Sequence, residues 1–226
     1  MTNVGFTIQE HIERPPRSLV EAFRGIPVAN IADNMNRTFC IGGRIRPFNE
    51  APLLGTAFTV KTRPGDNLIL HKAIDLASPG DIIVVDGQGE LANALIGELM
   101  IAWAQLRGIA GFIIDGAIRD AGEIRKMTIP VYAAGVTPAG PYKDGPGSIN
   151  IPIACGGVTV HPGDILVGDE DGVVVISPQD APSILEKARQ KMESEAKDME
   201  AIKKGIWDRT WVDQILREKG CVWIGK

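Results

Sequence analysis

Ile82-Ile83-Val84-Val85-Asp86-Gly87, Gly111-Phe112-Ile113-Ile114-Asp115-Gly116 and Pro130-Val131-Tyr132-Ala133-Ala134-Gly135 decide the fold of this chain. Each is a short apolar run rich in β-branched or aromatic residues and closed by glycine, the pattern of a strand buried on both faces. Between the first two lies Leu95–Arg107, read as a helix that Gly108 ends. Strand, helix and strand in alternation make a right-handed crossover unit with parallel strands. The expected fold class is therefore α/β.

Upstream, Ile69–Leu76 reads as a short helix, and Gly55–Thr62 alternates like a half-buried strand. Ser18 and Glu21 have capping-box spacing, with Gly25 closing that helix. Downstream, Ile149–Cys155, Gly157–Val160, Ile165–Val167 and Gly172–Ser177 read as short strands of a compact, antiparallel-rich layer. Pro-Gly-Asp recurs at 64–66, 79–81 and 162–164, each time as a turn ahead of a strand. From Asp180 the pattern becomes helical: Ile184, Ala188, Met192, Ala196 and Met199 share one face until Gly205, and Thr210–Lys219 forms a second helix. This divides the chain into an α/β domain, 1–180, and a C-terminal helical extension, 181–226, whose apolar stripe packs on its own chain or on a neighbouring subunit.

Composition narrows the function. The 226 residues suffice for one large domain, and 44% hydrophobic with 23% charged residues is globular usage. A net charge of −4 gives no field to attract a polyanion, so no nucleic-acid partner is expected. No apolar run reaches the roughly 18–20 residues of a membrane span, and Met1–Gly5 has no signal-peptide character. A cytoplasmic protein without a membrane partner is expected. Cys40, Cys155 and Cys221 are too scattered for a disulfide framework and read as buried or half-buried thiols. His11, His71 and His161 lack zinc-site spacing, and His71 reads as structural or partly exposed, though it could lie near a site. There is no GxGxxG, GxxxxGK[ST] or GxSxG motif.

The chemistry points to Gly97-Glu98-Leu99-Met100 and Arg119-Asp120. Gly97 is placed near the start of a helix, after a loop of small residues. The first N–H groups there have no intrahelical partner and, with the helix dipole, suit a small carboxylate. Arg119 and Asp120 directly follow a buried strand, where ligands of parallel sheets gather. Arg119 offers a charged fork to a carboxylate or enolate oxygen. Asp120 offers a hard oxygen to Mg²⁺ or Mn²⁺, and Glu98 and Glu123 add carboxylates nearby. On composition alone, an ordinary helix-entry glycine and an exposed Arg-Asp turn remain open.

From about Ile26 to Ser177 the chain resembles the RraA-like family, which includes the 4-hydroxy-4-methyl-2-oxoglutarate and 4-carboxy-4-hydroxy-2-oxoadipate aldolases. The likeness rests on Gly97–Met100, Asp115–Asp120, Pro130–Ala133, Gly156–Asp164 and Asp169–Val175. It implies a compact swivelling β/β/α domain assembled as a homotrimer or homohexamer, with sites between subunits. By the same resemblance Asp120 ligates the metal, and Arg119 binds the pyruvyl oxygen and steadies the enolate. The amides of Leu99 and Met100, beside Gly97, hold the pyruvate carboxylate, and Glu98 orients water on the metal. Glu193 or Glu195 of the C-terminal helix is the candidate carboxylate for a neighbouring site.

The implied activity is a class II aldolase using Mg²⁺ or Mn²⁺ to release pyruvate from a 4-hydroxy-2-oxo acid. Oxaloacetate decarboxylation would be a side reaction through the same enolate. The alternative is a protein-binding regulator of a ribonuclease, since some family members are known as such. Those resemble the core without a long C-terminal extension, which favours the aldolase group here. A quinone methyltransferase is disfavoured, because no glycine-rich loop for S-adenosylmethionine is present.

Overall fold

The computed structural model describes residues 4–225. The chain runs β1 (Thr7–Ile8), α1 (Arg17–Glu21), α2 (Val28–Asp33), β2 (Arg46–Pro47), β3 (Leu53–Thr62), α3 (Leu68–Leu76), β4 (Asp81–Ile96), α4 (Glu98–Leu106), β5 (Gly111–Ile118), α5 (Ala121–Ile124) and β6 (Val131–Val136). It continues through β7 (Gly147–Ile149), β8 (Ile153–Cys155), β9 (Val158–Val160), β10 (Ile165–Asp169), β11 (Gly172–Ile176), α6 (Ala181–Lys203) and α7 (Thr210–Glu218).

The expected parallel unit is present. β3 pairs with β4, β4 with β5 and β5 with β6, all parallel, with α3, α4 and α5 as the connections. β10 and β7 extend this sheet by pairing antiparallel with opposite halves of β3, and β11 pairs antiparallel with β10. β8 and β9 form a separate antiparallel hairpin.

Successive residues of the central strands serve opposite cores. Ile83 and Val85 of β4 pack with α3 and α4 residues such as Leu70 and Ile101. Ile82 and Val84 face the other way, onto Ile153 and Val160 of the hairpin and Val173 and Val175 of β11. This is why the run 82–85 is continuously apolar: both faces of the sheet are covered, by helices on one side and strands on the other. The result is the β/β/α layering expected. A third cluster joins α1 and α2 to β10, β11 and the start of α6, burying Ile184 and Ala188.

Several local expectations are corrected. β3 is buried almost throughout, because both its faces are covered: Phe58 and Val60 pack in the helix-side core, and Leu53 and Ala57 in the strand-side core. Ser18 does not cap α1. Pro16 holds the N-cap position without a side-chain bond, and Ser18 lies inside the helix. β4 does not stop at Gly87, and Leu95 and Ile96 belong to it rather than to a helix. Its segment Asp86–Ile96 lies opposite only Asp115–Ile118 of β5, with register shifts that let the surplus residues bulge out. The predicted strand Ile149–Cys155 is two strands, β7 and β8. Of the cysteines, Cys155 is buried, while Cys40 and Cys221 are exposed.

The C-terminal helices divide as well. The first turns of α6 belong to the chain's own core, but Met199 and Ile202 farther along, and Trp211 and Ile215 of α7, are exposed. Among the described residues no helix is long and apolar enough to cross a membrane.

Candidate active site at the ends of two parallel strands

The last register pair between β4 and β5 is Ile96 with Ile118. The next residues, Gly97 and Arg119, are therefore neighbours, and Arg119 N–H donates to Ile96 O at 3.0 Å. Both lie just beyond the carboxyl ends of parallel strands, where a ligand can reach main chain that no further strand covers.

Gly97 is the N-cap of α4, and the first bond of the helix runs from Ile101 N–H to Gly97 O at 3.2 Å. Its φ of −147° is ordinary extended backbone. Glycine is needed because of crowding: a Cβ would collide with the Asp120 carboxylate and lie 2.8 Å from Arg119 Cγ. The N–H groups of Leu99 and Met100, in the first turn, have no residue four positions back within the helix to accept them.

Asp120 caps the short α5 with φ 59° and ψ 32°, a left-handed conformation that aspartate tolerates better than most residues. Its Oδ2 accepts from Glu98 N–H at 3.1 Å and lies 3.6 Å from Arg119 Nε. One carboxylate thus ties the start of α4 to the arginine. Its side chain stays 41% exposed, leaving room for a further ligand. Glu98 is half-buried, and its carboxylate has no hydrogen bond or ion pair among the described residues. Glu123 does not join the cluster: it pairs with Lys126 at 2.8 Å on the exposed side of α5.

Gly97, Leu99, Met100 and Arg119 line one cavity of about 260 Å³. Asn67, the N-cap of α3, His71 within that helix, and the loop residues Gly140 and Lys143 also line it. These four were not assigned to the site from sequence. The sequence favours a structural or partly exposed His71 while leaving a place near a site open, and the structure puts it in the lining. The signal for the other wall was the 64–66 turn. Asp66 is fully buried there and accepts from Asp144 N–H at 2.7 Å, Gly145 N–H at 3.0 Å and Leu68 N–H at 3.0 Å. Tyr142 N–H donates to Gly65 O, and Asn67 N–H to Tyr142 O, so the loop 140–145 is pinned to the start of α3.

Burial pushes the Asp66 pKa up, but the backbone donors and the charge of Arg63 outweigh it and hold it below the usual aspartate range. A depressed folded pKa contributes stability above the unfolded value and loses it as pH falls through the folded one. Asp66→Ala is expected to cost about 2–4 kcal/mol in urea unfolding at neutral pH. A loss no larger than that of an exposed aspartate would show that the loop is held by other means. Burial, and then the charge of Lys143, lower the His71 pKa, so its imidazole is neutral near neutral pH.

A larger hollow of about 450 Å³ lies between Asn34–Phe39 and the start of α6. There Ser177 and Asp180 bond each other at 2.7 Å, and no arginine among the described residues lines it. Glu193 and Glu195 line neither cavity, and Glu195 accepts from the buried Asn30 Nδ2 at 2.6 Å.

The Aldolase/RraA profile of the RraA-like family matches residues 28–175, which takes in both strand ends and the 140–145 loop. A Halalkalibacterium halodurans protein named "Putative 4-hydroxy-4-methyl-2-oxoglutarate aldolase" is 40% identical, over 88% of this chain and 94% of its own. An uncharacterised protein from Pseudomonas syringae pv. tomato superposes with a TM-score of 0.76 at 25% identity, over 86% of this chain and 96% of its own. The RNA-processing inhibitor RraA from Thermus thermophilis gives 0.62 at 30% identity, over 67% and 92%. With its parallel unit, its β/β/α layers and the motifs at both strand ends matched along most of its length, this chain belongs to the RraA-like family.

Proposed function

We propose that the chain is a divalent-metal-dependent class II aldolase. It would cleave 4-hydroxy-4-methyl-2-oxoglutarate, or a related 4-hydroxy-2-oxo acid, to pyruvate and a second oxo compound. The observation that carries this is the convergence of the α4 N-terminus and Arg119 in one small cavity, with Asp120 locked against both. The name of the Halalkalibacterium relative supports the same chemistry.

Leu99 and Met100 N–H groups hold the 2-oxo acid's carboxylate, aided by the helix dipole. Arg119 faces the 2-oxo oxygen, where negative charge grows as the C3–C4 bond breaks. A preorganised donor at such a position is worth about 3–4 kcal/mol in the transition state. The free carboxylate of Glu98 holds the water that takes the proton of the 4-hydroxyl. No lysine is needed for a Schiff base. Loss of CO₂ from oxaloacetate leaves the same enolate, so decarboxylation is the expected side activity.

The residues present fit Mg²⁺ or Mn²⁺. Asp120 is an accessible hard-oxygen donor, and Glu98 stands beside it. Among the described residues no group of three or more histidine, cysteine, aspartate or glutamate side chains forms a protein cage. That suits a cation that keeps several waters and takes one or two carboxylates. When bound, the cation supplies Lewis-acid stabilisation of the enolate.

Assembly as a homotrimer or homohexamer is part of this reading. Leu99, Trp103 and Leu106 form an exposed apolar stripe on α4 beside the cavity, and the distal C-terminal helices expose another. Glu195 or Glu193 would then approach a neighbour's site.

The test is pyruvate release from 4-hydroxy-4-methyl-2-oxoglutarate. It should require Mg²⁺ or Mn²⁺, stop with chelator and return on metal add-back. Turnover that persists in chelator would rule the mechanism out. The Thermus structure supports a second reading, a protein-binding regulator of ribonuclease activity. Recovery of the nuclease by pull-down, with no lyase activity on any 2-oxo acid, would favour it.

A further inference from the structure

We propose that the hollow between Asn34–Phe39 and the start of α6 is a second binding site, for an α-amino acid with an apolar side chain. It shares no lining residue with the cavity at the ends of β4 and β5, and it stands whether or not the chain is an aldolase.

The three Pro-Gly-Asp turns differ in how their aspartates are held. Each aspartate is buried and accepts from a main-chain N–H close by in sequence. Asp81 also takes both arms of Arg14, at 2.8 and 2.7 Å. Asp66 takes two more N–H groups from the 142–145 loop and lies 3.5 Å from Arg63. Asp164 has only the His161 N–H, at 2.7 Å on Oδ2. Among the described residues its Oδ1 has no donor, and no cation pairs with it. It is nonetheless almost out of solvent, at 6% exposure. Burial accordingly pushes its pKa above the usual aspartate range, although the N–H and the charge of His161 oppose this. A desolvated carboxylate without a cation is unfavourable, and Asp164 lines the hollow. A ligand with a protonated amine supplies the missing cation.

The rest of the lining defines the other parts of that ligand. Lys187 is exposed, one turn along α6 from Ile184, and has no ion pair among the described residues. It suits a carboxylate. Met35, Phe39, Val175 and Ile184 give the hollow an apolar wall. Phe39 is 54% exposed and has φ 30°, a conformation sparsely allowed to a bulky residue. Val175 N–H, donating to Phe39 O at 3.0 Å, ties it to β11. Asp180 is already bonded by Ser177, which leaves Asp164 as the buried acid of the lining. Amine, carboxylate and apolar side chain on one small molecule describe an amino acid. A volume of about 450 Å³ is within the range of small-molecule sites.

Calorimetry on the full chain with L-leucine, L-methionine and L-phenylalanine tests this. At least one should bind with a Kd below about 10 mM. Its counterpart without the amine should bind about 10-fold more weakly or worse, as for the loss of one charge-assisted contact. Its counterpart without the carboxylate should lose a few-fold, roughly the worth of an exposed pair. Asp164→Asn should erase the first difference, and Lys187→Met the second. Asp164→Asn also alters a buried turn, so a second variant changes only an exposed lining position, Ser183→Trp. Its indole would fill the hollow and abolish binding while circular dichroism stays unchanged. The proposal is overturned if none of the three amino acids binds, or if the amine makes no difference. Either difference surviving in its folded variant, or undiminished binding to folded Ser183→Trp, would overturn it as well.

Discussion

For the proposed aldolase, Arg119→Ala is expected to lower kcat/KM for pyruvate release by about two to three orders of magnitude while the fold survives. The expectation follows from how little the arginine does for the fold. Its side chain is 45% exposed, and its one ion pair among the described residues is with Asp120 at 3.6 Å. An exposed pair of that kind contributes about 0–1 kcal/mol. The bond from Arg119 N–H to Ile96 O belongs to the main chain and persists in the variant. In the proposed reaction the variant loses a fixed positive fork beside the site of enolate charge, so the fall should appear in kcat as well as in kcat/KM. Steady-state kinetics with circular dichroism and a thermal scan on the same preparation decide it. A folded variant of wild-type activity would remove Arg119 from the reaction.

Gly97→Ala is expected to cost about 100-fold or more in kcat/KM, although it adds only a methyl group. The backbone there is extended, so no conformational strain follows from φ. The damage is steric: the new Cβ meets the Asp120 carboxylate, Arg119 Cγ at 2.8 Å and Arg119 Nε at 3.1 Å. Asp120 must move, and with it the bond that accepts from Glu98 N–H at 3.1 Å. The start of α4, the arginine and the carboxylate all lose register together. The variant should retain its helical circular dichroism while both kcat and KM worsen. Unchanged kinetics would mean that substrate does not use this junction, a stronger objection to the site than failure at Arg119 alone.

Much of the parallel core was legible in sequence. The apolar runs at 82–87, 111–116 and 130–135 can satisfy their composition only as strands covered on both faces. The family resemblance supplied the layering and pointed to Arg119 and Asp120. Errors arose where a local pattern had two outcomes. Gly55–Thr62 alternates, yet both faces of the strand are covered, Phe58 and Val60 in one core and Ala57 in the other. Asp86–Ile96 carries glycines and small residues that suit a loop, yet pairing with β5 keeps it in the sheet. Ser18 has the right spacing for a capping box, yet the chain enters the helix at Pro16.

The sequence by itself determined the strand–helix alternation, and hence that Gly97 lies near a helix start and that Arg119 follows a buried strand; that Gly97 also follows a strand came from the structure. Strand pairing alone decided that they are neighbours, because the register of Ile96 with Ile118 depends on how many residues bulge out of β4. The opposite wall was also a tertiary matter. Asn67, His71 and Lys143 are far apart in sequence from Arg119 and share no motif with it. They reach the cavity because a buried Asp66 collects the main chain of the 142–145 loop. Periodicity reports which face of an element is covered. It carries no record of which distant loop a single buried carboxylate will hold.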